Sequence, residues 1–206
     1  PPDPASSAFC TIGGNIAENA GGPRAFKYGV TEHYILGLEA VTPTGELINA
    51  GGRTIKNVAG YNLLKLLIGS EGTLGIVTKA ILKLIPKPAY EKTIQLFFPD
   101  VNAAAQTVSA IIAAKVIPGT LEFMDEGSLT AVRKAMGFQF NQEHKSLLLV
   151  KVDGHPAACE DEAEKVAQIA KANGCTEVNV ASSKEEELEV WKIRKNLSPA
   201  VGKMAN

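Results

Sequence analysis

One stretch of this chain, TIGGNIAENAGGPRAFKYG from Thr11 to Gly29, has glycine at five of its nineteen positions, with Asn15 and Asn19 set between two Gly-Gly pairs. Glycine has no Cβ, so it reaches φ > 0 and lets a ligand touch the main chain, and successive N–H groups pointing one way form an anion-binding nest. Gly13-Gly14-Asn15 followed by Asn19 and Gly21-Gly22 therefore suits a diphosphate and a ring system attached to it. Tight turns without a ligand fit the same spacing. The stretch reads as too rich in glycine for a packed element. A second cluster, GSEGTLGIVT from Gly69 to Thr78, would let one ligand thread between two loops, although by itself it reads better as a helix end followed by a strand start.

Other reactive side chains are sparse. Cys10, Cys159 and Cys175 are odd in number and lack a CxxC pair, which predicts reduced thiols in a cytoplasmic protein rather than a disulfide framework or zinc knuckle. The acidic runs Glu185–Glu187 and Glu160–Glu164 read as solvated helical turns, so no metal site is expected. A net charge of −1 without a basic block removes the electrostatic footprint of a nucleic-acid binder. No apolar run is long enough to span a membrane.

The elements that must position these residues fall into two halves. Thirteen of the nineteen glycines precede LIPKPAYEK, where Pro86 and Pro88 favour an extended connection. We read residues 1–88 and 89–206 as separate domains. In the first, HYILGLEAVTPTGELINAGG predicts a hairpin turning at Pro43-Thr44-Gly45. GYNLLKLLIGSEGT then predicts a short helix stopped by Gly69, and LGIVTKAILKLIP a strand buried on one face. The second domain reads βαβ(α)βαβ, the ferredoxin-like order, with EGSLTAVRKAMG as an inserted helix and Asp100 as a cap. One last helix, SKEEELEVWKIRKNLSPAVGK, is expected to start at Ser182 or Ser183 and run on unbroken.

Taken together, CTIGGNIAENAGGPRAFKYG, ILGLEAVTPTGEL and VAGYNLLKLLIGSEGTLGIVTKAILKLIPKP resemble the FAD-linked oxidases of the vanillyl-alcohol oxidase superfamily, in the branch that holds glycolate oxidase and D-lactate dehydrogenase. The resemblance is close over the first ninety or so residues and looser beyond. It implies an α+β protein in which 1–88 is the second half of a PCMH-type FAD-binding domain and 89–206 the N-terminal part of a substrate cap domain with a ferredoxin-like βαββαβ core. It implies FAD as cofactor. Thr11, Gly13, Gly14 and Asn15 would lie along its pyrophosphate; Asn19, Gly21, Gly22 and Gly29 would approach the flavin; Glu71, Gly72, Gly75, Ile76 and Val77 would lie near the adenosine end. VWKIRKNLS is similar to the family's Trp-x-x-Arg helix, which implies that Arg194 faces the substrate carboxylate with Ser198 one turn later on the same face. An arginine on the surface of an amphipathic helix is the plainer reading.

The family's first pyrophosphate loop and its GHxGDGNxH segment have no match here, and His33, His144 and His155 stand in other contexts. We therefore expect an internal fragment with no catalytic base of its own. The parent enzyme is expected to oxidise a small (R)-2-hydroxy acid such as glycolate or D-lactate, passing electrons to an iron-sulfur or other acceptor subunit. A flavin oxidase acting on another alcohol and a non-catalytic interaction module remain alternatives.

Overall fold

A computed structural model describes residues 1–138 and 141–204. The chain divides into two compact units, Pro1–Lys87 and Pro88–Asn206.

The first unit begins with helix α1 (Ile12–Glu18), so the glycine-rich stretch is not wholly loop as its composition suggested. Two causes override the glycines. The Thr11 hydroxyl accepts from the Gly14 N–H at 3.0 Å, capping the first turn, and Ile16 is buried in the core. Asn19 closes α1 in the left-handed conformation at φ +48°. A single turn, α2 (Ala25–Tyr28), and a 3-10 turn (Thr31–Tyr34) lead into β1 (Ile35–Val41) and β2 (Leu47–Gly51). These two strands form the hairpin, with Leu38 opposite Ala50 and Gly45 at φ +85° in the turn. After α3 (Leu63–Leu67), β3 (Ile76–Leu82) pairs antiparallel on the other side of β1, giving the order β2-β1-β3. Ile16, Ile35, Leu38, Ala40, Ala50, Leu67 and Ile68 make the core. β3 adds only Val77 and Ala80 to it and is otherwise exposed, so the one-sided burial predicted for this strand is slight.

The second unit has the ferredoxin-like order. β4 (Tyr90–Phe98), α4 (Val101–Ala113), β5 (Thr120–Met124), the inserted α5 (Glu126–Met136), β6 (Ser146–Gly154), α6 (Pro156–Ala172) and β7 (Glu177–Val180) build an antiparallel sheet ordered β5-β6-β4-β7. Asp100 caps α4 by accepting from the Asn102 and Ala103 N–H groups. One sheet face, with Ile94, Leu96, Leu148, Val150 and Val152, packs on α4 and α6. The other carries Phe97, Met124, Leu147 and Leu149 and is covered by α5, α7 (Lys184–Lys195) and α8 (Leu197–Met204).

The expected single C-terminal helix is thus two. α7 starts on Ser183, whose hydroxyl accepts from the Glu186 N–H, and ends at Lys195. Pro199 has no N–H for the Lys195 carbonyl and its ring crowds that position, so a continuous helix is excluded there. Pro199 sits instead in the first turn of α8, where the missing donor costs nothing. Ser198 consequently belongs to a different helix from Arg194.

Candidate functional site

In the first unit the two glycine-rich stretches meet. The Ile16 and Ala17 carbonyls at the end of α1 accept from the Gly69 and Glu71 N–H groups, each at 3.0 Å. Glu71 and Gly72 then follow with φ of +50° and +77°. A non-glycine residue held at positive φ costs free energy and persists only where its surroundings fix it. Here the end of α1 fixes it, and the Glu71-Gly72 main chain is left exposed.

The glycines of the site divide by what surrounds them. At Gly13 an added Cβ would meet nothing within 4 Å, and at Gly14 only the Thr11 hydroxyl, so there is room for an approaching group at these two glycines, while the Gly14 and Asn15 N–H groups already donate to the Thr11 hydroxyl and carbonyl. Gly21 is exposed as well. Gly22, by contrast, is covered by its own chain: a Cβ there would lie 1.9 Å from the Pro2 carbonyl oxygen. Gly29 adopts φ +78° against His33, whose Nδ1 accepts from the Val30 N–H at 3.0 Å. A Cβ on Gly75 would lie 2.9 Å from the Val41 carbonyl oxygen, so this glycine serves the approach of β3 to β1. Asn19 uses its side-chain oxygen within the fold, accepting from the Glu32 N–H at 2.9 Å. Ile76 is exposed and Val77 is turned to the core. Thr11, Gly13, Gly14 and the Glu71-Gly72 bend are therefore exposed, whereas Gly22, Gly29 and Gly75 are required by local packing.

The same unit holds a cleft of about 450 Å³ between β2, the loop after it and α3, lined by Asn49, Gly51, Ile55, Val58 and Tyr61 among others. Tyr61 is 96% exposed and Val58 83%. Sequence periodicity passed over this loop, and its one signal was apolar and aromatic residues where a loop should be polar.

In the second unit the face under α7 changes character along the strands. At one end Phe97, Leu147 and Met124 are apolar; two residues on, β5 places Glu122 opposite Leu149; two further, Thr93, Lys151 and Thr120 stand in one row across three strands. Helix α7 lays Glu187, Trp191 and Arg194 over this face, at positions i, i+4 and i+7 on one helix side. Lys151, 9% exposed, pairs with Glu91 at 3.1 Å and with Glu187, and its ammonium lies 5.1 Å from the Trp191 ring centroid. The Trp191 indole N–H donates to the Thr93 hydroxyl at 3.3 Å, and that hydroxyl lies 3.1 Å from Glu187 Oε1. Glu187 is therefore not the solvated first-turn residue its acidic neighbours suggested, because α7 turns it onto the sheet. Arg194 donates from Nε to Glu122 Oε2 at 2.5 Å, with 30% of its side chain exposed. Ser198 is exposed on α8. Three cysteines are free, and among the described residues no group of three His, Cys, Asp or Glu is placed to hold a metal. No described helix is long and apolar enough to cross a membrane.

A three-stranded antiparallel sheet with two glycine-rich stretches, followed by a ferredoxin-like sheet covered by helices, makes up the two parts of the fold. Residues 87–206 match the family model "FAD linked oxidases, C-terminal domain", and residues 1–51 match "FAD binding domain". The chain belongs to the FAD-linked oxidases, and its cofactor is FAD. It is similar to glycolate oxidase subunit GlcD of Bacillus subtilis (strain 168), at 45% identity over 99% of this chain and 43% of that protein. It is similar also to D-lactate dehydrogenase of Archaeoglobus fulgidus, at 40% identity over 94% of this chain and 42% of that protein. A solved structure of alkyldihydroxyacetonephosphate synthase superposes with a TM-score of 0.73 at 26% identity, over 97% of this chain and 38% of that one. The chain thus spans about two fifths of the curated relatives it matches.

Proposed function

We propose that this chain is part of an FAD-dependent oxidoreductase that converts a small (R)-2-hydroxy acid, of the glycolate or D-lactate kind, to the 2-oxo acid. Residues 1–88 act as the second half of its FAD-binding domain and residues 89–206 as the N-terminal part of its substrate domain. The single observation carrying the substrate class is Arg194, a partly exposed guanidinium at the polar end of a sheet face, in a chain whose relatives bear the names of 2-hydroxy-acid enzymes.

The exposed start of the Thr11–Asn15 segment, with Gly13 bare, supports a pyrophosphate contact there, and the exposed bend at Glu71 and Gly72 supports a contact toward the adenosine end. Asn19, Gly21, Gly22, Gly29, Gly75, Ile76 and Val77 frame those two segments. Bound FAD supplies the two-electron acceptor that oxidation of a secondary or primary alcohol requires. The chain's own contribution at the substrate is binding: a guanidinium grips a carboxylate through two parallel N–H donors and so orients the carbon beside it. Ser198, on the neighbouring helix, offers a hydroxyl to the same anion. No general base is assigned to this chain. The B. subtilis relative is named as a subunit, which favours an acceptor subunit, iron-sulfur or other, as partner, and free cysteines favour a cytoplasmic setting.

Arg194→Ala in the full-length enzyme tests the reading: KM for glycolate and D-lactate should rise by roughly tenfold or more while FAD binding is unchanged. An unchanged KM would sink the anchor role. A full-length enzyme that binds FAD and oxidises neither acid would point to another alcohol, and one that binds no FAD to an interaction module.

A further inference from the structure

Arginine has five N–H donors in a planar fork, and which edge of the fork faces outward depends on what holds the rest. In this protein the inner edge is held. The Arg194 guanidinium makes one hydrogen bond among the described residues, from Nε to Glu122, which leaves the terminal nitrogens to a ligand. Both ends of that contact are fixed by separate means. Glu122 lies on β5, pinned by its register against Leu149 of β6. Arg194 lies on α7, whose same face is tied to the sheet one and two turns earlier through Trp191 on Thr93 and Glu187 on Lys151.

We propose that Glu122 is a positioning residue for substrate binding: it holds Arg194 by Nε so that the two-nitrogen edge of the guanidinium is presented to a carboxylate. This rests on the reading of Arg194 as the carboxylate anchor. The Glu122 charge opposes an incoming anion, so its value to binding lies in reach and direction, not in electrostatic attraction. That separates the proposal from a simple ion pair, in which charge is what matters.

Two conservative variants of the full-length FAD-loaded enzyme make the separation visible. Glu122→Asp keeps the charge but withdraws the carboxylate by about 1.5 Å, one carbon–carbon bond, from Nε. Glu122→Gln keeps an oxygen acceptor at full reach and removes the charge. The readouts are KM and kcat for D-lactate, and the equilibrium Kd for propionate, a carboxylate without the hydroxyl to be oxidised. Glu122→Asp should raise KM and the propionate Kd together by about fivefold, with kcat within about twofold, whereas Glu122→Gln should leave both near or below the parent values. The reverse order, with Gln impaired and Asp tolerated, overturns the proposal, as do two unchanged variants or an effect confined to kcat. Arg194→Ala run beside them keeps the two claims apart. If it leaves KM and Kd unchanged, the anchor itself fails; if it raises them while both Glu122 variants match the parent, only the positioning role fails.

Discussion

The two units make opposite use of their apolar residues. In the second, both sheet faces are covered by helices, and residues such as Phe98, Ile111, Leu148 and Val150 are fully buried. In the first, a three-stranded sheet carries a core of small extent, while Ile55, Val58, Tyr61 and Leu84 are each more than four-fifths exposed. Three of these, Ile55, Val58 and Tyr61, line one cleft, and an exposed apolar patch in a folded protein marks contact with something else. The first unit is thus organised around what it will touch and the second around itself. The glycines follow the same division, since those at φ > 0 near the bends of the first unit set the course of the main chain, whereas in the second unit Gly137 and Gly174 merely follow helix ends.

The largest effect that sharpens this comparison is in the second core. Leu148→Ala removes a fully buried side chain from the central strand and should cost about 2–5 kcal/mol. Trp191 is the only tryptophan and lies in the second unit, so its fluorescence during denaturant unfolding follows that unit alone. The same truncation at Ile55, 81% exposed, read in the first unit by hydrogen-exchange protection at the β1 amides, should change stability by less than about 0.5 kcal/mol. An Ile55→Ala loss as large as that of Leu148→Ala would show that the first unit's apolar surface is core after all, and the contrast would collapse.

A second test strikes the first unit through its backbone. Gly51 has φ +75°, and a Cβ there would sit 2.3 Å from the Leu36 carbonyl oxygen across the hairpin. Gly51→Ala should therefore cost about 1–3 kcal/mol, read as lost hydrogen-exchange protection at the β1 amides. The Trp191 transition should stay where it was. If it shifts by the same amount, the two units unfold as one.

How far the sequence could be read follows the same line. The ferredoxin-like order, the Asp100 cap and the Pro43-Thr44-Gly45 hairpin were legible because each is written in adjacent residues as periodicity, cap or turn chemistry. Helix α1 was not, because glycine's unfavourable helix propensity is offset by the Thr11 cap and the burial of Ile16, and the second of these is tertiary. The break before α8 was written locally, at Pro199, and was passed over in favour of one long pattern. For the candidate site the residue types were legible and their partners were not. Arg194 was named through the resemblance of VWKIRKNLS to a family helix, but Glu122, Lys151 and Thr93 reach α7 only through strand register, which no local window contains. Likewise the glycine stretch announced close backbone approach without saying whether a ligand or the chain itself would approach, and at Gly22 and Gly29 it is the chain.

The smallest effect concerns a single cap, and it separates electrostatics from packing within the well-packed unit. Asp125 caps α5 by accepting from the Ser128 N–H at 2.8 Å. Its hydrogen bonds from Ser128 hold its carboxyl below the ordinary value of 3.8. A depressed carboxylate stabilises the fold fully above its unfolded value, and that stabilisation is lost as pH falls through the lower, folded one. Asp125→Ala should thus cost about 1 kcal/mol at neutral pH, a difference that stays flat down to about pH 5 and narrows below pH 4. Asp125→Asn retains an acceptor and should remove the pH dependence while costing less. Because Leu129, Ala131 and Val132 anchor α5 by burial alone, the helix should remain docked in every variant, and the Trp191 transition should stay a single cooperative step. A gap between parent and Asp125→Ala that persists unchanged at pH 3 would mean that the cap acts through shape and not charge.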